Sequence, residues 1–502
     1  MSLHRPHSMA LALAGALLLA ACASGPDYVR PQLDMPAAWT PEAPWRAMQP
    51  QDAAPRGPWW ERFNDAQLNA LQQQALAGNQ TLAIATARLA QARAQLEVAG
   101  AAQSPQVGIN TRAARGRISA NRPLTNYNSP NYATVQNDFA LGLNVSYELD
   151  FFGRVRRSVE AANASAQQSA ADLENTRLLL SAELASNYFN LRELDVELDV
   201  VQRAIALQRK ALELASARHD LGATSGLDVA QQQALLDNTL TQVDILGRQR
   251  AQYEHAIATL TGTPAPVFRL PPSLAPVALP EIPLGVPSDV LERRPDVAAA
   301  ERAMAAANAQ IGVASAAFYP SFMLQPGYGV DSRNWASLFN APSVLWSLGV
   351  SASQSLFDGG RLRAGVDFSQ AGYNATVASY RRTVLTAMQE VEDGITGIAS
   401  LDRAYRQAQS AIASARRVLE IANSRYEGGA TPYLDVINAQ QSLLNSERQA
   451  AQLMGQRLLV SVFLIKALGG DWHARRQAEA GEQAAVGAMI VQSPSLSPQG
   501  ND

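Results

Sequence analysis

Asp228 and Asp435 stand in almost the same surroundings: RHDLGATSGLDVAQQQ runs from Arg218 to Gln233, and RYEGGATPYLDVINAQ from Arg425 to Gln440. Both copies keep Arg, Gly-Ala-Thr and Leu-Asp-Val at one offset of 207 residues, since 425 − 218 and 435 − 228 agree. Paired carboxylates are the residue type that acid–base catalysis uses, but here the repeat itself places them, so their pairing carries no catalytic argument. The other candidates are sparse. Beyond the N-terminal segment the histidines are His219, His255 and His473, scattered without metal-ligand spacing, and there is no thiol, phosphate-binding loop or nucleophile elbow. No enzyme chemistry and no metal or cofactor is expected.

The sole cysteine, Cys22, follows His4, Arg5, His7 and an apolar run from Met9 to Ala21. About 13 apolar residues are too few to span a bilayer and fit the core of a secretory signal. Leu19-Ala20-Ala21-Cys22 resembles the bacterial lipobox, in which cleavage leaves a lipid-modified cysteine at the N-terminus. Each buried acyl methylene contributes about 0.8 kcal/mol, so two or three chains hold such an N-terminus in a membrane. Ala23, not Asp, follows the cysteine, which in such lipoproteins implies export to the outer membrane.

A net charge of −3 and a charged fraction of 17% exert no strong pull toward nucleic acid. Aromatics are only 6% and alanine dominates the 47% of hydrophobic residues, a composition suited to helices packed by small side chains. No proline falls between Pro130 and Pro264, or between Pro342 and Pro432. Within the first gap Leu194, Leu198, Val201, Ile205 and Leu212 form one narrow apolar stripe of coiled-coil type. The pattern predicts helices over Gln80–Gln103, Arg154–Ala217 and Leu227–Thr261, repeated as Asp296–Phe318, Arg361–Tyr426 and Tyr433–Ala467. At 1.5 Å per residue the first long helix spans about 95 Å, and the two short ones together nearly match it, so they can stack end to end along its stripe.

Between the short first helix and the long helix of each half the period changes to two. Leu141, Leu143, Val145, Tyr147 and Leu149 alternate with Gly142, Asn144, Ser146 and Glu148; Trp346, Leu348, Val350 and Ala352 alternate with Ser347, Gly349, Ser351 and Ser353. Partner strands start after Pro105 and Pro320. Each half therefore offers one β-hairpin with a polar face, four strands in all. Four strands cannot enclose water, and an outer membrane tolerates only closed sheets, so oligomerisation is expected.

CASGPDYVRP, ERRPDVAAAERAMAAANAQIGVASAAFYPSF, SLFDGGRLRAG and the doubled turn, in this order, resemble the TolC family of outer-membrane efflux factors in its lipoprotein branch. The resemblance implies an α+β membrane protein. Its long α-helical barrel is continuous with a trimeric twelve-stranded β-barrel, with two structural repeats per protomer. The divisions are a signal peptide 1–21, a lipid-anchored extended segment 22–60, a first repeat 61–262, a linker 263–286, a second repeat 287–470 and a tail 471–502. It implies an efflux duct fed by a periplasmic membrane-fusion adaptor and an inner-membrane pump of the RND type. An exit duct for type I protein secretion, or a structural periplasmic coiled-coil lipoprotein, stands as the alternative.

In that family the doubled turns are the periplasmic tips of two helical hairpins. Gly222, Ala223, Thr224, Gly429, Ala430 and Thr431 would then form the adaptor-docking tip. Gly222 and Gly429 suit left-handed helix ends, and Thr431-Pro432 an N-cap followed by an N1 proline. Carried over by motif, Arg425 and Tyr426 link to Asp228 of a neighbouring hairpin to hold the entrance shut, while Leu434 and Asp435 face the constriction. Asp228 also suits a capping role near a helix N-terminus. Asn438 stands where a second ring aspartate can occur, and Thr431 where a gate arginine can occur, which implies a less charged gate.

Overall fold

The structure, a computed structural model, describes residues 25–29, 57–121, 133–282 and 294–470. Cys22, the signal segment, most of the 22–60 stretch and the tail after Gly470 lie outside the described residues. The helices are α1 (Ala66–Gly78), α2 (Gln80–Ala101), α3 (Arg154–Asp220), α4 (Gly226–Leu260), α5 (Pro295–Ala316), α6 (Arg361–Glu427) and α7 (Tyr433–Ala467). Two compact units are formed. One collects the strands with residues 25–29, 88–121, 133–170 and 299–381; the other collects residues 57–87, 171–282, 294–298 and 382–470.

In the first unit β1 (Gln106–Ile118) and β2 (Thr134–Leu149) form a long antiparallel hairpin. The second repeat contributes β3 (Ser321–Leu324), β4 (Gly327–Ser332), β5 (Val344–Ser347) and β6 (Val350–Ser353), with β3 and β4 both pairing to β2, β5 to β4 and β6 to β3. Where two continuous strands were expected, each is divided. Between β3 and β4 the cause is Pro326, which has no amide to give the ladder with β2. The register nonetheless runs through unshifted: Val145 N–H donates to the Pro326 carbonyl at 2.9 Å and Gln325 N–H to the Gly349 carbonyl at 2.8 Å. The sheet is thus a four-ribbon antiparallel meander.

Its faces separate as the alternation predicts. Leu141 pairs with Val330 and Leu143 with Tyr328, which faces Trp346, so one face is apolar; Gly142 pairs with Gly329 and Asn144 with Gly327, which faces Ser347, on the other. Arg112 lies on this polar face, its guanidinium 2.8 Å from Asp138 and 3.7 Å from Asp331. Among the described residues β1 pairs only with β2, and β5 and β6 each have a single partner, so both edges of the sheet are unpaired.

In the second unit the α3 stripe is buried as expected. Leu194, Val201 and Ile205 pack with Leu236 and Leu246 of α4 and Leu444 of α7, with Leu198 and Leu212 partly buried beside them. Helix α1, which periodicity alone did not separate from its surroundings, begins at Asp65, whose carboxylate accepts from the amides of Gln67 and Leu68. The end of α4 meets the start of α2 through Asn79. Its side-chain oxygen accepts from Leu82 N–H at 3.0 Å, and its Nδ2 donates to the last α4 carbonyl, Leu260, at 2.9 Å.

The second repeat makes the same joint with a charge. Arg294, 6% exposed, donates through Nη1 to the Ala467 carbonyl at the end of α7 (3.1 Å) and to Glu390 of α6 (2.6 Å). Its remaining edge holds Asp296 at 3.0 and 2.6 Å. The fork geometry of arginine lets one side chain satisfy a helix C-terminus and two carboxylates together. The stretch after α4 is packed and not free: Asp195, fully buried, takes Arg192 at 2.7 Å, Arg250 at 2.6 Å and the Ser273 amide at 3.1 Å.

Candidate functional site

The two copies of the doubled turn close α3 onto α4 and α6 onto α7 with one geometry. Ala223 N–H donates to the Arg218 carbonyl and Gly222 N–H to the His219 carbonyl, both at 2.8 Å; Ala430 and Gly429 repeat this with Arg425 and Tyr426 at 2.8 and 3.0 Å. These paired bonds define a Schellman C-cap, whose C′ residue must be left-handed. Gly222 and Gly429 both have φ of +71°. Both turns are exposed apart from the half-buried Thr224 and Thr431.

The restarts differ. Ser225 caps α4, its hydroxyl accepting from Leu227 N–H at 3.1 Å. At the second turn the expected Thr431 cap is not formed: Pro432 occupies the N-cap position, its carbonyl accepting from Asp435 N–H, and the buried Thr431 hydroxyl has no partner. A proline in the extended conformation supplies the entry angle that the threonine was expected to set. Asp228 and Asp435 each fall in the first turn of their helices, where the dipole favours a carboxylate.

Helix α7 presents two distinct faces at this end. Tyr433, Val436 and Ala439 are buried with Ala422 of α6, while Leu434, Asp435 and Asn438 are exposed together on the opposite side. The predicted constriction residues thus share one surface. Arg425 is exposed and Asp228 half-buried; among the described residues neither side chain has an ion-pair partner, so a single chain does not itself join Arg425 or Tyr426 to Asp228.

Tyr426 turns inward. Its ring packs on Tyr433 at 4.8 Å, the Arg218 guanidinium lies 5.4 Å from its centroid, and its buried hydroxyl has no hydrogen-bond partner. These groups line a cavity of about 60 Å³ that also takes in Asn423 and Gln440. Tyr433 Oη donates to Gln232 Oε1 at 3.0 Å, and fully buried Gln232 passes a bond from Nε2 to the Gln208 carbonyl at 3.0 Å. Burial, then Tyr426 and Asp228, push the Tyr433 hydroxyl up to about 12, so it stays a donor. Sequence reasoning missed this chain of α7, α4 and α3. Gln232 sits in a Gln-Gln-Gln run that reads as a solvated face, and the aromatic start of α7 is its only local signal.

A sheet with one apolar face, joined to long helical hairpins whose exposed tips are built twice, defines an outer-membrane channel component. A model of the outer membrane efflux protein family matches residues 71–263 and 286–470. The chain belongs to the outer membrane efflux protein family. It is similar to the pyoverdine export outer membrane protein OpmQ of Pseudomonas aeruginosa, with 32% identity over 93% of this chain and 97% of that protein. It is also similar to the outer membrane protein OprJ of the same organism, 31% identical over 93% and 96%. The solved structure of the outer-membrane channel OprN matches with a TM-score of 0.81 at 30% identity, covering 90% of this chain and 100% of that one. The protein is an outer-membrane efflux channel and not an enzyme.

Proposed function

We propose that three copies of the chain close their sheets into one twelve-stranded barrel through the outer membrane, anchored by lipid on Cys22. Their helical hairpins continue the duct into the periplasm, where six tips form both a gate and a dock. A periplasmic membrane-fusion adaptor seats on Gly222–Thr224 and Gly429–Thr431, and an RND-type inner-membrane pump supplies the energy. The observation that carries this reading is the sheet: an apolar face on every ribbon, a polar face opposite, and two unpaired edges. Unpaired edges are not stable in hydrocarbon, so other copies must complete them. A wide polar duct discriminates little, which leaves substrate choice to the pump.

At the tip, exposed Arg425 is the cation available to Asp228 of an adjacent hairpin, with Tyr426 joining once its hydroxyl leaves the cavity. Leu434, Asp435 and Asn438 narrow the aperture. Single-cysteine labelling in membranes tests the barrel: Leu143→Cys should react only with lipid-soluble maleimide and Asn144→Cys with the water-soluble reagent, on a species of three chains by native mass spectrometry. Reversed labelling, or a monomer that retains channel activity, would sink the proposal.

A further inference from the structure

The sheet register supplies a vertical scale. On the apolar face, the row Leu149, Phe322 and Ala352 lies five rows from the row Ala113, Phe139 and Ser332. Ten residues along β2 at ~3.4 Å each give about 34 Å of strand, or about 26 Å of height at a tilt of ~40°. That equals the ~25 Å apolar band of outer-membrane barrels. Aromatic rings stand at both limits. Phe151 packs on Phe322 at 5.3 Å and Phe152 stacks on Tyr319 at 4.6 Å beside the helices; Phe139 meets Trp335 at 5.8 Å at the far end.

Past Phe139 the same face changes character. Arg115 pairs with Asn137 and Arg117 with Val135, continuing the parity of Val107, Ile109 and Ala113. These rows stand about 5 and 10 Å above the apolar band, at headgroup depth in the outer leaflet. Both arginines are exposed, and among the described residues neither has an anionic partner. The contrast with Arg112 is direct, since that arginine, on the polar face, is held by Asp138 and Asp331. The sequence from Ser119 to Ala133, between the two strands, contains no Asp or Glu. An unpaired arginine on a lipid face is costly at the midplane and is tolerated only near the interface, where headgroup anions neutralise it.

We propose that Arg115 and Arg117 form a binding site for the phosphate groups of lipid A, the saccharolipid of the outer leaflet. Two residues apart on one face, their Cα atoms are about 7 Å apart, close enough for both guanidinium groups to reach one phosphate and grip it bidentately. The inference rests on the barrel reading, which sets this face toward lipid.

The test uses the purified full-length protein in detergent, titrated with bisphosphoryl lipid A and followed by native mass spectrometry. Dephosphorylated lipid A and inorganic pyrophosphate serve as separate arms. The Arg115→Gln, Arg117→Gln double variant should lose affinity for bisphosphoryl lipid A roughly 30-fold, whereas the Lys pair should keep most of it. Unchanged affinity in the Gln pair overturns the site, and pyrophosphate binding as tightly as lipid A overturns the lipid as its occupant. The Leu143→Cys and Asn144→Cys labelling separates the two readings: reversed faces refute the barrel assignment itself, whereas correct faces with unchanged affinity refute only the arginine site.

Discussion

Arg294 joins three elements of the second repeat through one side chain, touching Asp296 of α5, Glu390 of α6 and the Ala467 carbonyl of α7. Replacing it with alanine leaves Asp296 with only the Val297 amide at 2.9 Å, leaves Glu390 with only Lys466 at 3.1 Å, and strips the side-chain donor from the Ala467 carbonyl. Breaking a buried ion pair from one side costs about 3–5 kcal/mol and orphaning a buried carbonyl about 1–3 kcal/mol; one side chain serves both, so the two do not simply add and the ion pair sets the scale. For a helical unit of roughly 240 residues, about 2 °C of melting temperature corresponds to each kcal/mol, which gives a drop of about 6–10 °C. Circular dichroism melts of the detergent-solubilised protein read this directly. Asn79→Ala, at the neutral joint of the first repeat, should cost only about 1–2 kcal/mol. An Arg294→Ala drop below about 2 °C, or one no larger than that of Asn79→Ala, would refute the idea that charge at this joint locks α5, α6 and α7 together.

Three further outcomes follow from named groups. Glu193 on α3 is pushed up to about 7 by burial and by Glu197, against the opposing pull of Arg448; its proton is retained in the folded state above the ordinary 4.5, so its stabilisation is full below pH 4.5 and is lost as pH rises to 7. Melting temperature should therefore fall across that window, and Glu193→Gln should flatten the slope; an unchanged slope removes Glu193 as its source. Gly222→Val and Gly429→Val force a branched residue to φ of +71°, so each should destabilise its tip by about 1–2 kcal/mol and weaken adaptor capture, read by hydrogen exchange and pull-down; normal protection at both turns would contradict the Schellman assignment's importance. Cys22→Ser should abolish incorporation of labelled palmitate while leaving the barrel able to insert, and label in the variant would disprove the anchor.

The helices were legible because glycine and proline punctuate them and one stripe runs through them. Tyr433–Ala467 was expected with those bounds, and Arg154–Ala217 extends only to Asp220, where Gly222 turns the chain. The sheet faces were equally legible, since a period of two survives even the missing amide of Pro326. What periodicity does not encode is which elements far apart in the chain touch. The bond from Tyr433 to Gln232 crosses 201 residues, and the grip of Arg294 on Ala467 crosses 173. Both rest on polar side chains that read locally as solvated surface. The residues proposed for the gate were picked out by motif, and the chain places Leu434, Asp435 and Asn438 on one face, yet the inward turn of Tyr426 depends on packing against Tyr433 and Arg218 that no spacing announces.

The gated channel is tested most directly by single-channel conductance of the purified protein in planar bilayers, wild type against Asp228→Ala with Tyr426→Phe. An exposed contact is worth up to about 1 kcal/mol, and three around the ring give about 3 kcal/mol, enough to raise the open population on the order of 100-fold. The wild type should conduct weakly and the double variant strongly, with entry of large antibiotics such as vancomycin into cells carrying it. Equal conductance from correctly assembled trimers of both would contradict the gate.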